Sequence, residues 1–178
     1  MIIALGLGFV CQPIIDFNRI IDFYLNSEIK PHYKFSGFST LFIYTRASSI
    51  LFAPIFEELF FRKFLFSKLL EKNKIWVAIL ISSLCFSAIH FPTPNSLIPT
   101  FIWGVVSCII YLKTKNIIYL IIIHFLNNLC SMLYAIFGTP FYDWVYGLNF
   151  DFMYWALFIF GILITILGVK KITIANNI

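Results

Sequence analysis

Pro54-Ile55-Phe56-Glu57-Glu58-Leu59-Phe60-Phe61-Arg62 places two adjacent carboxylates and an arginine inside sequence otherwise suited to lipid. Ionisable side chains at membrane depth are costly, and by default they mark a functional site. The surrounding composition makes membrane depth the right frame. Of the 178 residues, 61% are hydrophobic, 20% aromatic and only 12% charged, and the mean hydropathy is +0.91. A soluble domain is nearer half apolar and a quarter charged. Long apolar runs recur, whereas a transmembrane barrel would show short alternating segments. The fold class is therefore all-α: a polytopic transmembrane helical bundle forming a single integral membrane domain over residues 1–178.

About six spans are predicted. Residues 1–25 form a first one, either tilted or partly interfacial, interrupted by Pro13 and followed by Asp16, Arg19 and Asp22. Residues 40–70 form the glutamate helix, which Pro54 kinks or restarts because proline lacks the backbone donor. The remaining spans cover 75–91, 97–112, 117–137 and 152–169. Residues 27–39 read as a polar loop that holds His32. Residues 138–151 read as a loop rich in Tyr, Trp and Phe, rings that favour the membrane–water interface. The N-terminus has no basic region and no A-x-A site, so no cleaved signal peptide is expected. Cys11, Cys85, Cys108 and Cys130 are scattered singly in apolar surroundings and read as packing residues.

The net charge of +5 resides mostly in lysines flanking the apolar runs. It encodes orientation and is not a nucleic-acid footprint. Basic turns at 62–74, 113–115 and 170–171 fall on one side, which the positive-inside rule makes cytoplasmic. Lys30 and Lys34 run against that assignment. Enrichment in Ile, Phe, Lys and Asn, with three arginines in all, fits an AT-rich bacterial genome. Nothing in the pattern assigns an oligomeric state.

Glu58 and Arg62 are four apart, on one helix face, with the acid N-terminal to the base. Glu57 is rotated about 100° from Glu58 and has no such partner. A poorly solvated carboxylate without a cation is a better proton acceptor, which suits a general base. Phe86, one turn before His90, is placed to hold the imidazole edge. His124 and Asn128 are also four apart, and together they can donate to a developing oxyanion. At a rise of about 1.5 Å per residue, Glu57 lies about 20 Å from the basic side, His90 about 22 Å, Asn128 about 16 Å and His124 about 10 Å. Helix tilt covers that spread, so the four groups can meet within the bundle.

Glu57-Glu58-x-x-x-Arg62, Phe86-x-x-x-His90 and His124-x-x-x-Asn128 resemble, in order, the three motifs of the CAAX-protease and bacteriocin-processing family, also called Abi. The likeness covers about residues 54–128, taken as the catalytic core. It implies an intramembrane endopeptidase similar to the type II CAAX prenyl endopeptidases. Glu57 and His90 would activate a water, His124 and Asn128 would stabilise the oxyanion, and Glu58 and Arg62 would hold the glutamate helix in register. Its partners would be the lipid bilayer and a membrane-associated or lipidated peptide or protein substrate, in a multi-pass protein of the cell membrane, with no cofactor.

Three alternatives stand beside this. Glu57, His90 and His124 form a His₂Glu set that could bind zinc with an open fourth position, although no HExxH helix is present. A non-catalytic bacteriocin self-immunity or scaffold protein would use the same surface for binding. A transporter with a proton relay is the third, and a six-span chain without a repeat is small for it.

Overall fold

The computed structural model describes residues 1–11, 16–25, 37–91 and 96–175. His32, Lys30, Lys34 and the prolines of the 92–95 turn lie outside the described residues. Among the described residues there are helices and no strand. The chain forms α1 (Ile2–Val10), α2 (Phe17–Tyr24), α3 (Thr40–Leu51), α4 (Ala53–Glu58), a π-helical segment (Leu59–Phe66), α5 (Ser67–Lys72), α6 (Ile75–Ala88), α7 (Leu97–Thr114), α8 (Ile117–Phe137), α9 (Thr139–Gly147) and α10 (Phe152–Ala175). Three helices, α7, α8 and α10, are long and apolar enough to cross a membrane. Large apolar side chains stay exposed along the bundle, Leu80, Leu84, Leu163 and Leu167 among them. This is a protein whose solvent is lipid.

Local sequence explains the punctuation. The Ser39 hydroxyl accepts from the Phe42 amide at 3.0 Å and caps α3, as serine does at helix starts. Pro54 sits in the first turn of α4, where its missing N–H costs nothing. The glutamate helix thus restarts there, as the proline predicts. Between α7 and α8, Lys115 adopts a left-handed conformation (φ 51°) and the Asn116 side chain caps α8 through the Ile118 amide at 2.9 Å.

Two expectations change. The first predicted span is not one helix: α1 has nine residues, about 13 Å of rise, and cannot cross alone. After it, α2 is held against the 139–150 region by Arg19. The guanidinium donates to the carbonyls of Val145 and Tyr146 and stacks on the Tyr146 and Phe150 rings at 3.9 and 4.9 Å. The predicted aromatic loop is itself largely helical, as α9, with Pro140 in its first turn. Of the four cysteines, Cys108 is buried as expected, Cys11 and Cys130 are half-buried, and Cys85 points outward from α6.

The most extensive helix contact joins α1 to α10, and small residues make it close. A Cβ added at Gly6 would lie 2.4 Å from the Thr165 hydroxyl and 2.8 Å from the Thr165 backbone nitrogen, and one at Gly161 would lie 2.5 Å from the Phe9 Cβ. Small residues let transmembrane backbones approach in this way. Gly6→Ala is therefore expected to destabilise the protein by about 1–3 kcal/mol through overpacking, despite alanine's better helix propensity. A thermal melt in detergent reads this directly, and an unchanged or higher Tm would mean that α1 and α10 do not approach this closely.

Candidate active site

Glu57 and Glu58 end α4, immediately before the π-helical segment, and adjacent positions on the helix send them to different surroundings. Glu58 is fully buried. Its Oε2 lies 3.2 Å from Arg62 Nε, while Oε1 accepts from Trp103 Nε1 at 3.1 Å and faces His124 Nδ1 at 2.8 Å. Four elements of the bundle thus converge on one carboxylate. Arg62, also fully buried, donates from Nε to the Ser107 hydroxyl at 2.8 Å. The centre of its guanidinium lies 4.1 Å from the Phe86 ring centroid, a cation–π contact in a dry setting. Ser82 donates to the Phe61 carbonyl at 3.1 Å and ties α6 to the π-helical segment.

Glu57 keeps 20% of its side chain exposed and lines a cavity of about 310 Å³. The sequence placed it without a partner. In the structure, His124 Nε2 approaches its Oε2 to 3.9 Å, an ion-pair distance that is long for a hydrogen bond. His124 therefore stands between the two glutamates. A carboxylate only accepts, so the hydrogen on the Glu58 side belongs to His124 Nδ1, and Nε2 is the nitrogen turned toward Glu57.

His90 lies in the turn just beyond α6, and its Nδ1 is 3.0 Å from the Phe86 carbonyl. A carbonyl oxygen also only accepts, so Nδ1 carries hydrogen there. Phe86 is buried. Its ring lies 5.0 Å from that of His90, 6.1 Å from that of His124 and 5.2 Å from that of Phe61. The expected support of His90 by Phe86 is present twice over, through the ring and through the backbone. Asn128 donates from Nδ2 to the Ser49 carbonyl at 2.8 Å, which pins α8 to α3. The amide has a second N–H, so one donor remains beyond that bond.

Glu57, Phe86, His90, His124 and Asn128 all line the one cavity. Glu58 and Arg62 lie behind it. Sequence reasoning missed Trp103 and Ser107, although a signal existed: an indole N–H inside an apolar run needs an acceptor, and the serine sits one turn further along the same face.

Among the described residues no group of three His, Cys, Asp or Glu side chains could hold a metal ion. His124 Nδ1 is turned to Glu58 and His90 Nδ1 to a backbone carbonyl. Glu57, His90 and His124 line the same cavity.

A family model described as Type II CAAX prenyl endopeptidase Rce1-like matches residues 39–130, just over half of the chain. Among curated proteins, the chain is similar to "Putative membrane peptidase YdiL" of Bacillus subtilis (strain 168). The two are 36% identical over 80 residues, 45% of this chain and 32% of that protein. The matched stretch thus spans about a third of the relative's length. No solved structure matches.

Proposed function

Because the chain belongs to the Rce1-like type II CAAX prenyl endopeptidase family, we propose that it is an intramembrane endopeptidase. It hydrolyses a peptide bond of a membrane-associated or lipidated peptide, in a cell membrane with the lysine-bearing turns on the cytoplasmic side. One observation carries the reading. Of the two adjacent glutamates, one is consumed by an arginine, an indole and an imidazole, and the other opens into a cavity shared with two histidines and an asparagine.

The chemistry follows from what each group can give. Glu57 takes a proton from water, and the hydroxide oxygen attacks the scissile carbonyl carbon. His90, oriented by its Nδ1 contact with the Phe86 carbonyl, lines the same cavity and helps hold that water beside Glu57. The tetrahedral oxyanion is stabilised by the remaining Asn128 N–H and by His124, whose ring Glu58 orients. When the C–N bond breaks, the proton on Glu57 passes to the leaving amine. Glu58 and Arg62 do not touch substrate. They fix where His124 and Glu57 stand.

Cleavage of a quenched, membrane-tethered peptide library by the purified protein in detergent tests the reading. Activity is expected to survive EDTA and 1,10-phenanthroline with less than a twofold change. A loss on chelation that added zinc restores would replace the glutamate–water mechanism by a metal-assisted one. A chain that serves only as a scaffold would cleave nothing in the library and would keep its cellular phenotype when Glu57 becomes Gln.

A further inference from the structure

Arg46 is the only charged residue of α3, and the chemistry above gives it no part. An ionisable side chain inside a membrane bundle faces the interior or a water-filled space, and it is normally paired there. Arg46 meets the first condition and not the second. It lines the cavity. Its guanidinium lies over the Phe42 ring at 5.5 Å, yet no ion pair or hydrogen bond joins it to any described residue.

The neighbours of Arg46 fix its place along the wall. Arg46, Ser49, Ala53 and Glu57 recur at helical spacing, one face of α3 continued into α4, and all four line the cavity. The Ser49 carbonyl accepts from Asn128 Nδ2 at 2.8 Å, so it marks the level of the proposed oxyanion donor. Arg46 stands one turn beyond that carbonyl, about 4.5 Å at 1.5 Å per residue, on the side away from Glu57. Among the described lining residues Arg46 carries the only fixed positive charge and Glu57 is the only carboxylate. The cavity is thus polarised along its length. An anionic group on a bound chain is repelled near Glu57 and held near Arg46.

We infer that Arg46 is a specificity-determining residue, which takes a carboxylate of the substrate and so sets which peptide bond lies over Glu57. A guanidinium suits that group, because its fork matches a carboxylate with two parallel N–H···O bonds. An extended residue spans about 3.3 Å, which puts the carboxylate about one to two residues from the scissile bond. A chain terminus and an acidic side chain both supply it. The word "substrate" rests on the proposed peptidase activity, whereas the carboxylate preference of the cavity can be read without catalysis.

The test therefore measures binding. The probe is a dansyl-labelled apolar hexapeptide prepared with a free C-terminal carboxylate, as the C-terminal amide, and as amides in which one Asp or one Lys is moved through each position. Fluorescence anisotropy follows its binding to the full chain in detergent. The protein carries Glu57→Gln, so that nothing is turned over, alone or combined with Arg46→Gln, Arg46→Lys or Arg46→Glu. Each peptide meets the same micelles in every titration, so the ratio of affinities is compared between variants.

With Arg46 in place, a carboxylate form is expected to bind at least fivefold tighter than the plain amide. Tightest binding by the free terminus or by an Asp form names the source of the carboxylate. Arg46→Gln is expected to abolish the preference, Arg46→Lys to keep part of it, and Arg46→Glu to transfer it to a Lys form. Equal or undetectable binding of the carboxylate and amide forms with Arg46 in place would overturn the inference. So would a preference that survives Arg46→Gln. A library that yields no cleavage bears on the peptidase activity alone, so the two failures are separate results.

Discussion

Glu57→Gln is expected to lower kcat for peptide cleavage by about 10²–10⁴-fold, the range that general acid–base catalysis supplies, while leaving Tm nearly unchanged. The two halves of that expectation come from one geometry. Gln has the shape of Glu but cannot accept a proton at neutral pH, so water activation is lost. Structurally little is lost, because the nearest partner of the Glu57 carboxylate is His124 Nε2 at 3.9 Å and its side chain is already 20% exposed. The readout is kcat and KM for a library-derived peptide, with a melt of the same preparation in detergent. Retention of wild-type kcat/KM would remove Glu57 from the chemistry. A collapse in Tm would show that its role is to hold the bundle together.

Arg62→Ala is expected to do the reverse, destabilising the fold by about 3–5 kcal/mol, the cost of breaking a buried ion pair from one side. The loss is large because the remaining partner has nowhere to go. Glu58 is fully buried, with Trp103 and His124 on one oxygen and only Arg62 Nε, at 3.2 Å, on the other. Replacing both charges together, as Glu58→Gln with Arg62→Met, leaves no orphaned charge. It is expected to recover at least half of the lost stability, since volume-matched replacement of a buried pair is often neutral. Melts of the two variants beside the wild type decide it. A single variant within 1 kcal/mol of wild type, or a double variant no better than the single, would show that the pair does not carry this load.

Much of the site was legible in the sequence because membranes make polar residues conspicuous. Glu57, Glu58, Arg62, His90, His124 and Asn128 stand out against apolar runs, and a spacing of four correctly paired Glu58 with Arg62 and Phe86 with His90. Contacts between distant parts of the chain were harder to foresee. His124 reaches Glu58 across 66 positions, and no periodicity within α8 announces which carboxylate it will meet. Trp103 passed for one more apolar ring, and its N–H was the only hint of an acceptor.

The π-helical segment following the glutamates was also invisible, since the residues Leu59–Phe66 suit an ordinary helix equally well. A tertiary bond from Ser82 to the Phe61 carbonyl and a local one from Ser67 to the Arg62 carbonyl go with the wider winding, which often accompanies functional sites. The seating of α2 on the aromatic segment uses the Arg19 contacts with carbonyls and rings on α9 and just beyond it. That again is a meeting of remote residues.

The glycine seam between α1 and α10 has a consequence for the order of events on the ribosome. Of the helices described, α1 is made first but has its most extensive contact with α10, which is made last of them. Ala4, Leu7 and Gly8 of α1 also form one wall of the cavity. During synthesis α1 must wait, held in the bilayer with its seam unfilled, until α10 emerges. Every earlier intermediate lacks the α10 surface on which α1 packs most extensively. A product stalled before α10 therefore carries all the named polar groups and lacks the contact that holds the α1 wall of the cavity in place.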